Sequence, residues 1–460
     1  MLIKNSKLKA GSFYLFGNVF NKAIAFLTIP IFTRLLTTSE YGMVSTYISW
    51  VTIVGAFIGL SLGSSIRSVY NESKPEVDAY ISSILFLSMV NFLLTTFLVL
   101  LIIKLAAFEV DKILVLLCFT QAYMTTVINA ISIKYMMGFQ YVKKTLLLAV
   151  PNIIVAVLSI ILILKMDDMK HMGSIWSYFI VYSIIGTLLF FISMLKGKTI
   201  INISFWRYGL KFSLPLIFHG LSLVMLAQSD RIMITAFKSA SETGVYSLVY
   251  NFSMVAIVVT TSLESIWIPW FNERLKKFDK KIINSKVKYY IASVLYINFM
   301  IMLVAPDILF IIAPIEYEWG VVLIPPIVAS SYFIFLNSFS INLEYYYKKT
   351  RIIATNTVLI ALINIGLNYI LIPQFGAIAA AYTTLFSYGV SFLLHCASSR
   401  KIDSDLFPFK TYALPLIGLL SSVIITYTIM DYTYIRWGLF LLVSSIFTIY
   451  VIKNRSAIYA

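Results

Sequence analysis

Long apolar runs alternate with short polar stretches over the whole chain. Fourteen runs reach about the 20 mostly apolar residues that a membrane-spanning helix needs. They are 12–33, 43–66, 80–103, 113–133, 146–165, 173–194, 211–236, 244–270, 288–313, 319–343, 352–373, 376–397, 411–430 and 434–452. The pattern predicts an all-α polytopic membrane protein of about 14 transmembrane helices. The connections are too short for a soluble catalytic domain.

One polar phrase recurs. Ser39-Glu40-Tyr41-Gly42-Met43-Val44-Ser45 returns 202 positions later as Ser241-Glu242-Thr243-Gly244-Val245-Tyr246-Ser247. Each copy is expected in an external turn after the first helix of a lobe. The copies are six spans apart, an even number, so they share one orientation. That is a parallel repeat, related by an axis along the membrane normal. The implied division is 1–200 for helices 1–6, 201–400 for helices 7–12 and 401–460 for two more. The expectation is two pseudo-symmetric six-helix lobes plus two C-terminal helices. Such lobes rock against each other and expose a central cavity to each side in turn.

Composition agrees with the pattern. The chain is 60% hydrophobic and 12% charged, against about 25% charged in soluble domains. Its net charge of +16 would suit nucleic acid, but the distribution argues otherwise. With loops assigned to alternate sides, 27 of the 36 Lys and Arg fall on the side of the N-terminus and seven on the other. Lys22 and Arg231 lie inside spans. Cytoplasmic loops collect Lys and Arg, so the excess sets orientation and no nucleic-acid partner is expected. Both termini are expected in the cytoplasm, in a bacterial inner membrane. Six of the seven Trp fall near span ends, as in an interfacial aromatic belt. The first span follows a basic start without a small-residue cleavage site, and reads as a retained helix.

The sequence offers no enzyme constellation and no catalytic residues. Its three His are in separate segments, so no metal site is expected. No phosphate-binding Gly loop is found, hence no built-in ATPase and no cofactor. The drive is left open among proton or sodium gradients, the membrane potential and the cargo's own gradient. Cys118 and Cys396 read as packing residues.

Polar groups inside spans are costly and usually face a bundle interior or wet cavity. Asn18, Asn21 and Lys22 share one face of the first span, with Tyr14 a turn earlier. His219, Ser222, Ser229 and Asp230 share a face of the seventh, with Arg231 beside them. Ser253, Thr260 and Glu264 line the eighth. Gln121, Thr125, Asn129 and Ser132 form an uncharged stripe in the fourth, and Arg67 closes the second. Structural readings stand beside these. Asp230 and Arg231 can neutralise each other, Lys22 can snorkel, and Arg67 sits where a positive-inside residue would sit anyway.

The residues Pro30-Ile31-Phe32-Thr33-Arg34-Leu35-Leu36-Thr37-Thr38-Ser39-Glu40-Tyr41-Gly42 resemble the first-helix signature of polysaccharide exporters of the O-antigen flippase type. These belong to the multidrug/oligosaccharidyl-lipid/polysaccharide exporter superfamily. Leu62-Gly63 with Arg67, Ser213-Leu214-Pro215-Leu216, Ser229-Asp230-Arg231-Ile232, and Pro373, Gly376 and Ala379-Ala380-Ala381 resemble later segments of that family, in order. The resemblance implies a two-lobed flippase. It would carry an undecaprenyl-pyrophosphate-linked oligosaccharide, an O-antigen or capsule repeat unit, from the cytoplasmic to the periplasmic leaflet. Lys22, Arg67 and Arg231 would then meet the pyrophosphate. Asn18, Asn21, Asp230, His219 and Glu264 complete the expected substrate-binding set. Membrane lipid and glycan polymerase machinery are the other expected partners.

Two alternatives follow from the same residues. A multidrug or cation exporter of the superfamily usually keeps an acid in the first helix, and here no Asp or Glu precedes Glu40. A membrane glycan polymerase typically carries a large external loop, and every external loop here is short.

Overall fold

The structure, a computed structural model, describes residues 24, 26–72 and 74–453. Every regular element among them is helical. The chain divides into two compact units, Met1–Ile232 and Met233–Ala460.

The first unit holds α1 (Phe26–Leu35), α2 (Thr38–Ile58), α3 (Leu62–Glu72), α4 (Val77–Leu105), α5 (Lys112–Met137), α6 (Tyr141–Lys165), α7 (Lys170–Gly197) and most of α8 (Ile203–Phe237). Helix α5 packs against α2, α3, α4 and α7, and α6 against α7. Tyr47, Val51, Ile58, Tyr80, Ile84, Ala122, Tyr123 and Val127 form the centre of its core. The outward face of α4 carries Leu93, Leu94, Phe97, Leu98 and Ile102, all exposed. Such a face is stable only against lipid.

The second unit holds α9 (Ala240–Lys276), α10 (Lys280–Ile312), α11 (Ile324–Tyr346), α12 (Thr350–Ile402), α13 (Lys410–Thr428) and α14 (Thr433–Lys453). Helix α11 is its axis and packs against α9, α10, α12 and α13. Together with the 3₁₀ turn before it, its apolar window is 78% buried, against 6% for α14. Ala329, Ser330, Ser331 and Ser340 on α11 and Ala380, Ala381 and Ser387 on α12 are buried. Small residues of this kind let helices approach closely in lipid.

Eleven helices among the described residues are long and apolar enough to cross a membrane, twelve with the bent α8. Helix α8 turns by 54° between Leu214 and Leu216, at Pro215, which lacks the N–H for a helical bond. Helix α12 has 53 residues. At about 1.5 Å per residue this is more than twice the hydrocarbon thickness of about 30 Å. It breaks at Gly376, with φ 60° and ψ −141°, and so covers both expected spans 352–373 and 376–397. Counting it twice gives thirteen. Most of the remaining expected span, 12–33, lies outside the described residues.

The recurring phrase is not in a turn. Its two copies form the opening turns of α2 and α9. Thr37 caps α2 through its hydroxyl, which accepts from Glu40 N at 3.2 Å, while Glu40 Oε2 accepts from Thr37 N at 3.0 Å. This is a capping box. Glu40 Oε1 also accepts from Lys170 N at 2.9 Å, the first residue of α7. In the second unit Ser239 caps α9 by accepting from Glu242 N at 3.1 Å. Glu242 Oε2 accepts from Ala377 N at 2.9 Å, one residue beyond the break in α12. The Glu40 carboxylate therefore serves two helix starts, its own and that of α7, and the Glu242 carboxylate serves the restart of α12. Both second contacts follow a left-handed residue, Met169 (φ 53°) and Gly376 (φ 60°).

Candidate functional site

Helices α2 and α3 are one span interrupted at Gly59, Leu60 and Ser61. Leu60 and Ser61 have φ of 47° and 51°, a conformation that is strained for non-glycine residues. Side chains donate to the carbonyls around the break. Asn91 Nδ2 donates to Phe57 O and Ile58 O at 3.2 and 3.0 Å, Thr126 Oγ1 to Gly55 O at 3.3 Å, and Ser213 Oγ to Ser61 O at 3.2 Å. Irregular backbone at membrane depth is tolerated where protein or a wet cavity receives it.

A cavity of about 300 Å³ opens at this break. Its polar lining comes from Thr52, Ser61, Ser88, Thr125, Thr126 and Asn129, and among the described residues no carboxylate lines it. Thr125 Oγ1 is buried and has no hydrogen-bond partner among the described residues. Gly55, Gly59 and Gly63 also line it, and a Cβ at Gly59 would lie 3.0 Å from Thr126 Cγ2. The cavity is thus widened by absent side chains and offers neutral donors and acceptors.

Cations lie beyond both ends of the cavity. Val224 of α8 lines it, and Gln228 and Arg231 follow on the same face of that helix, four and seven residues on. Arg231 Nη1 donates to Gln228 Oε1 at 3.2 Å and to Ala227 O at 2.9 Å. Ser49 Oγ of α2, itself buried, donates to the same Gln228 oxygen at 3.0 Å. At the other end Arg67 sits one turn beyond Gly63 on α3. It is exposed and lies within electrostatic reach of Lys144 of α6.

A family model described as polysaccharide biosynthesis protein matches residues 8–274, more than half of the sequence. The chain belongs to the polysaccharide biosynthesis protein family. An uncharacterized membrane protein of Haemophilus influenzae is 25% identical to it over 392 residues, 78% of this chain and 89% of the relative. Among solved structures, the lipid II flippase MurJ in an inward closed conformation matches with a TM-score of 0.72. That match has 16% identity and covers 97% of this chain and 99% of MurJ. An inward-facing multidrug resistance MATE family transporter of the MOP superfamily matches at 0.55 with 13% identity, covering 83% and 96%. These likenesses show the fold alone: this polysaccharide biosynthesis family member is a multi-pass membrane protein whose fold is similar to those of the flippase and the multidrug transporter.

In this family member Asp230, Arg231 and His219 all lie on the first unit's stretch of α8. Asp230 is buried at 1% exposure, His219 is half-buried, and all three make further interactions of their own. Arg67 is on the same unit, on the opposite side of the cavity from Arg231. Glu264 is on α9 in the second unit, near Ser338 of α11. Asn18, Asn21 and Lys22 lie outside the described residues. Of the uncharged stripe on α5, Thr125 and Asn129 line the cavity, whereas Gln121 is buried and accepts from Tyr47 OH at 2.8 Å. Sequence reasoning missed Gln228 and Ser49, which hold Arg231. The available signal was spacing: Gln228 is one turn before Arg231 on the same face.

Proposed function

We propose that this protein is a flippase for a lipid-linked oligosaccharide, turning an undecaprenyl-pyrophosphate-linked repeat unit from the cytoplasmic to the periplasmic leaflet of a bacterial inner membrane. The supporting observation is the order of chemistry along the first unit: exposed Arg67, a neutral polar cavity, then Arg231 held by Gln228. A pyrophosphate is multiply anionic and rich in acceptors, and Arg suits it through bidentate charge-assisted bonds. A sugar ring needs neutral donors and acceptors, which Thr125, Thr126 and Asn129 supply. The polyprenyl tail stays in lipid while the headgroup crosses. The two units expose the path to each side in turn, and both termini are cytoplasmic by the distribution of Lys and Arg.

Deletion of the gene, followed by mass spectrometry of lipid extracts, tests this reading. A lipid-linked glycan should accumulate on the cytoplasmic side. Arg231→Ala at normal protein level should reduce surface glycan about tenfold or more. A hydrogen bond to a charged group contributes roughly 1.5–3 kcal/mol, and 1.4 kcal/mol is tenfold. Full export by that variant would sink the cation's role. Drug efflux by the purified protein in vesicles would favour an exporter of cationic drugs, although among the described residues no carboxylate lines the cavity to receive one.

A further inference from the structure

The α11–α12 interface of the second unit contains a polar seam that the cargo path does not use. Asn337, Ser340 and Glu344 share one face of α11, and Ser391, His395 and Ser399 share one face of α12. The faces meet. Asn337 Nδ2 donates to Ser391 Oγ at 3.0 Å, the Ser340 and Ser399 hydroxyls bond at 3.1 Å, and Glu344 Oε2 lies 2.9 Å from His395 Nδ1. The side chains of Glu344 and His395 are 0% and 2% exposed.

Two acceptors in the seam have no hydrogen-bond partner among the described residues, Glu344 Oε1 and Asn337 Oδ1. An unpaired carboxylate oxygen in so dry a place is unfavourable as a charge. A proton shared between Glu344 Oε2 and His395 Nδ1 removes that charge. The pair is also close to the loops. Glu344 is two residues from the end of α11, and His395 is seven from the end of α12, about 10 Å of helix. Around it are Tyr345 on α11, within electrostatic reach of Glu344, Cys396 and Arg400 on α12, and Tyr412 on α13. Farther along the packed helices are Tyr290 on α10 and Glu264 on α9. Among the described residues only His395 hydrogen-bonds the Glu344 carboxylate.

We infer that Glu344 and His395 form a proton-binding site, and that uptake and release of this proton drives transport. Each proton taken up forms one O–H or N–H bond on the pair, and its release restores the starting state. The link to transport rests on the flippase reading; the proton site does not.

The full-length protein in detergent is titrated by infrared difference spectroscopy between about pH 4 and 9, bracketing free carboxyl and imidazole groups. A buried protonated-carboxyl band should come and go. Glu344→Gln should abolish it, and His395→Gln should move its frequency, because the hydrogen-bond partner has changed. If Glu344→Gln does not fold, His395→Gln and the wild type still decide. A band unchanged in either variant overturns the site, as does a wild type without one, or a response to sodium at constant pH in its place. A static ion pair gives no such titration. Coupling is read in phosphatidylethanolamine–phosphatidylglycerol vesicles enclosing a pH-sensitive dye, with the lipid extract of the deletion strain as cargo. The dye should respond with wild type and not with Glu344→Gln. Equal responses overturn the coupling, whereas silence from both, with the infrared band intact, counts against the cargo reading instead.

Discussion

Gly376 combines a left-handed φ with an immediate neighbour. A Cβ built there meets the Glu242 carboxylate head-on, the group that accepts from Ala377 N. Gly376→Ala should therefore destabilise the protein by about 1–3 kcal/mol, through backbone strain and loss of the cap. Gly366 is the control. It lies in the first half of the same helix with nothing within 4 Å of its Cβ position. Gly366→Ala should be neutral or stabilising by up to about 1 kcal/mol. Melting in detergent separates the two, and equal effects would refute the assignment to φ. The same scale shows what a sequence conceals. Arg231 was visible as an intramembrane cation, but its fixing by Gln228 and Ser49 was not, because Ser49 comes from another helix 179 positions earlier. Glu344 was hidden for the same reason: its partner is 51 positions away, and a carboxylate two residues from a helix end reads as a surface group.

Helix starts supply the next level. Glu40→Ala removes the capping box on α2 and the acceptor for the first N–H of α7. Glu242→Ala removes the acceptor at the restart of α12. A lost cap costs about 0.5–2 kcal/mol, so each variant should lower stability by roughly 1–2 kcal/mol. The double variant should add, since the two share no partner. A large departure from additivity would show that the caps are not independent. Helix α14 depends on a different contact. Arg436, 1% exposed on α14, donates to both oxygens of Asp307 on α10 at 2.7 and 2.8 Å, and to Leu303 O at 2.9 Å. Breaking a buried pair from one side costs about 3–5 kcal/mol. Arg436→Ala should therefore loosen α14, read as faster proteolysis between α13 and α14. Replacing Arg436 and Asp307 together by apolar residues should restore much of the loss. Arg436 is one of the seven cations that the alternation of loops assigns to the external side, since nothing in its local pattern points inward.

Across the whole molecule, the apolar pattern carried most of the fold. The expected spans match helices throughout the described residues, because hydrophobic length is what a bilayer selects. The misplaced element was the repeated phrase, read as a turn from its polarity although Ser, Glu and Gly there are the first turns of helices. Polar residues gather at helix starts for capping, so polarity alone does not separate a turn from a cap. The candidate cavity was legible only as a stripe on α5, because the break that opens it depends on two left-handed non-glycine residues. The charge distribution makes a topological prediction. Enzymatic reporters placed after Lys198 and Lys277 should be active only as cytoplasmic reporters, and one after Ala107 only as a periplasmic one. The opposite pattern would invert the proposed direction of transport.

The paired glutamate caps bear on ancestry. The bond from Glu40 spans 130 positions and that from Glu242 spans 135, while the two glutamates keep the 202-residue offset of the phrase. If the halves descend from one duplicated gene, five residues have entered or left between the bonded points without breaking either bond. What the two copies have kept in common is a closure: the end of each four-span excursion fastened back to its beginning. Lengths in between were free to drift, and the fastening was not.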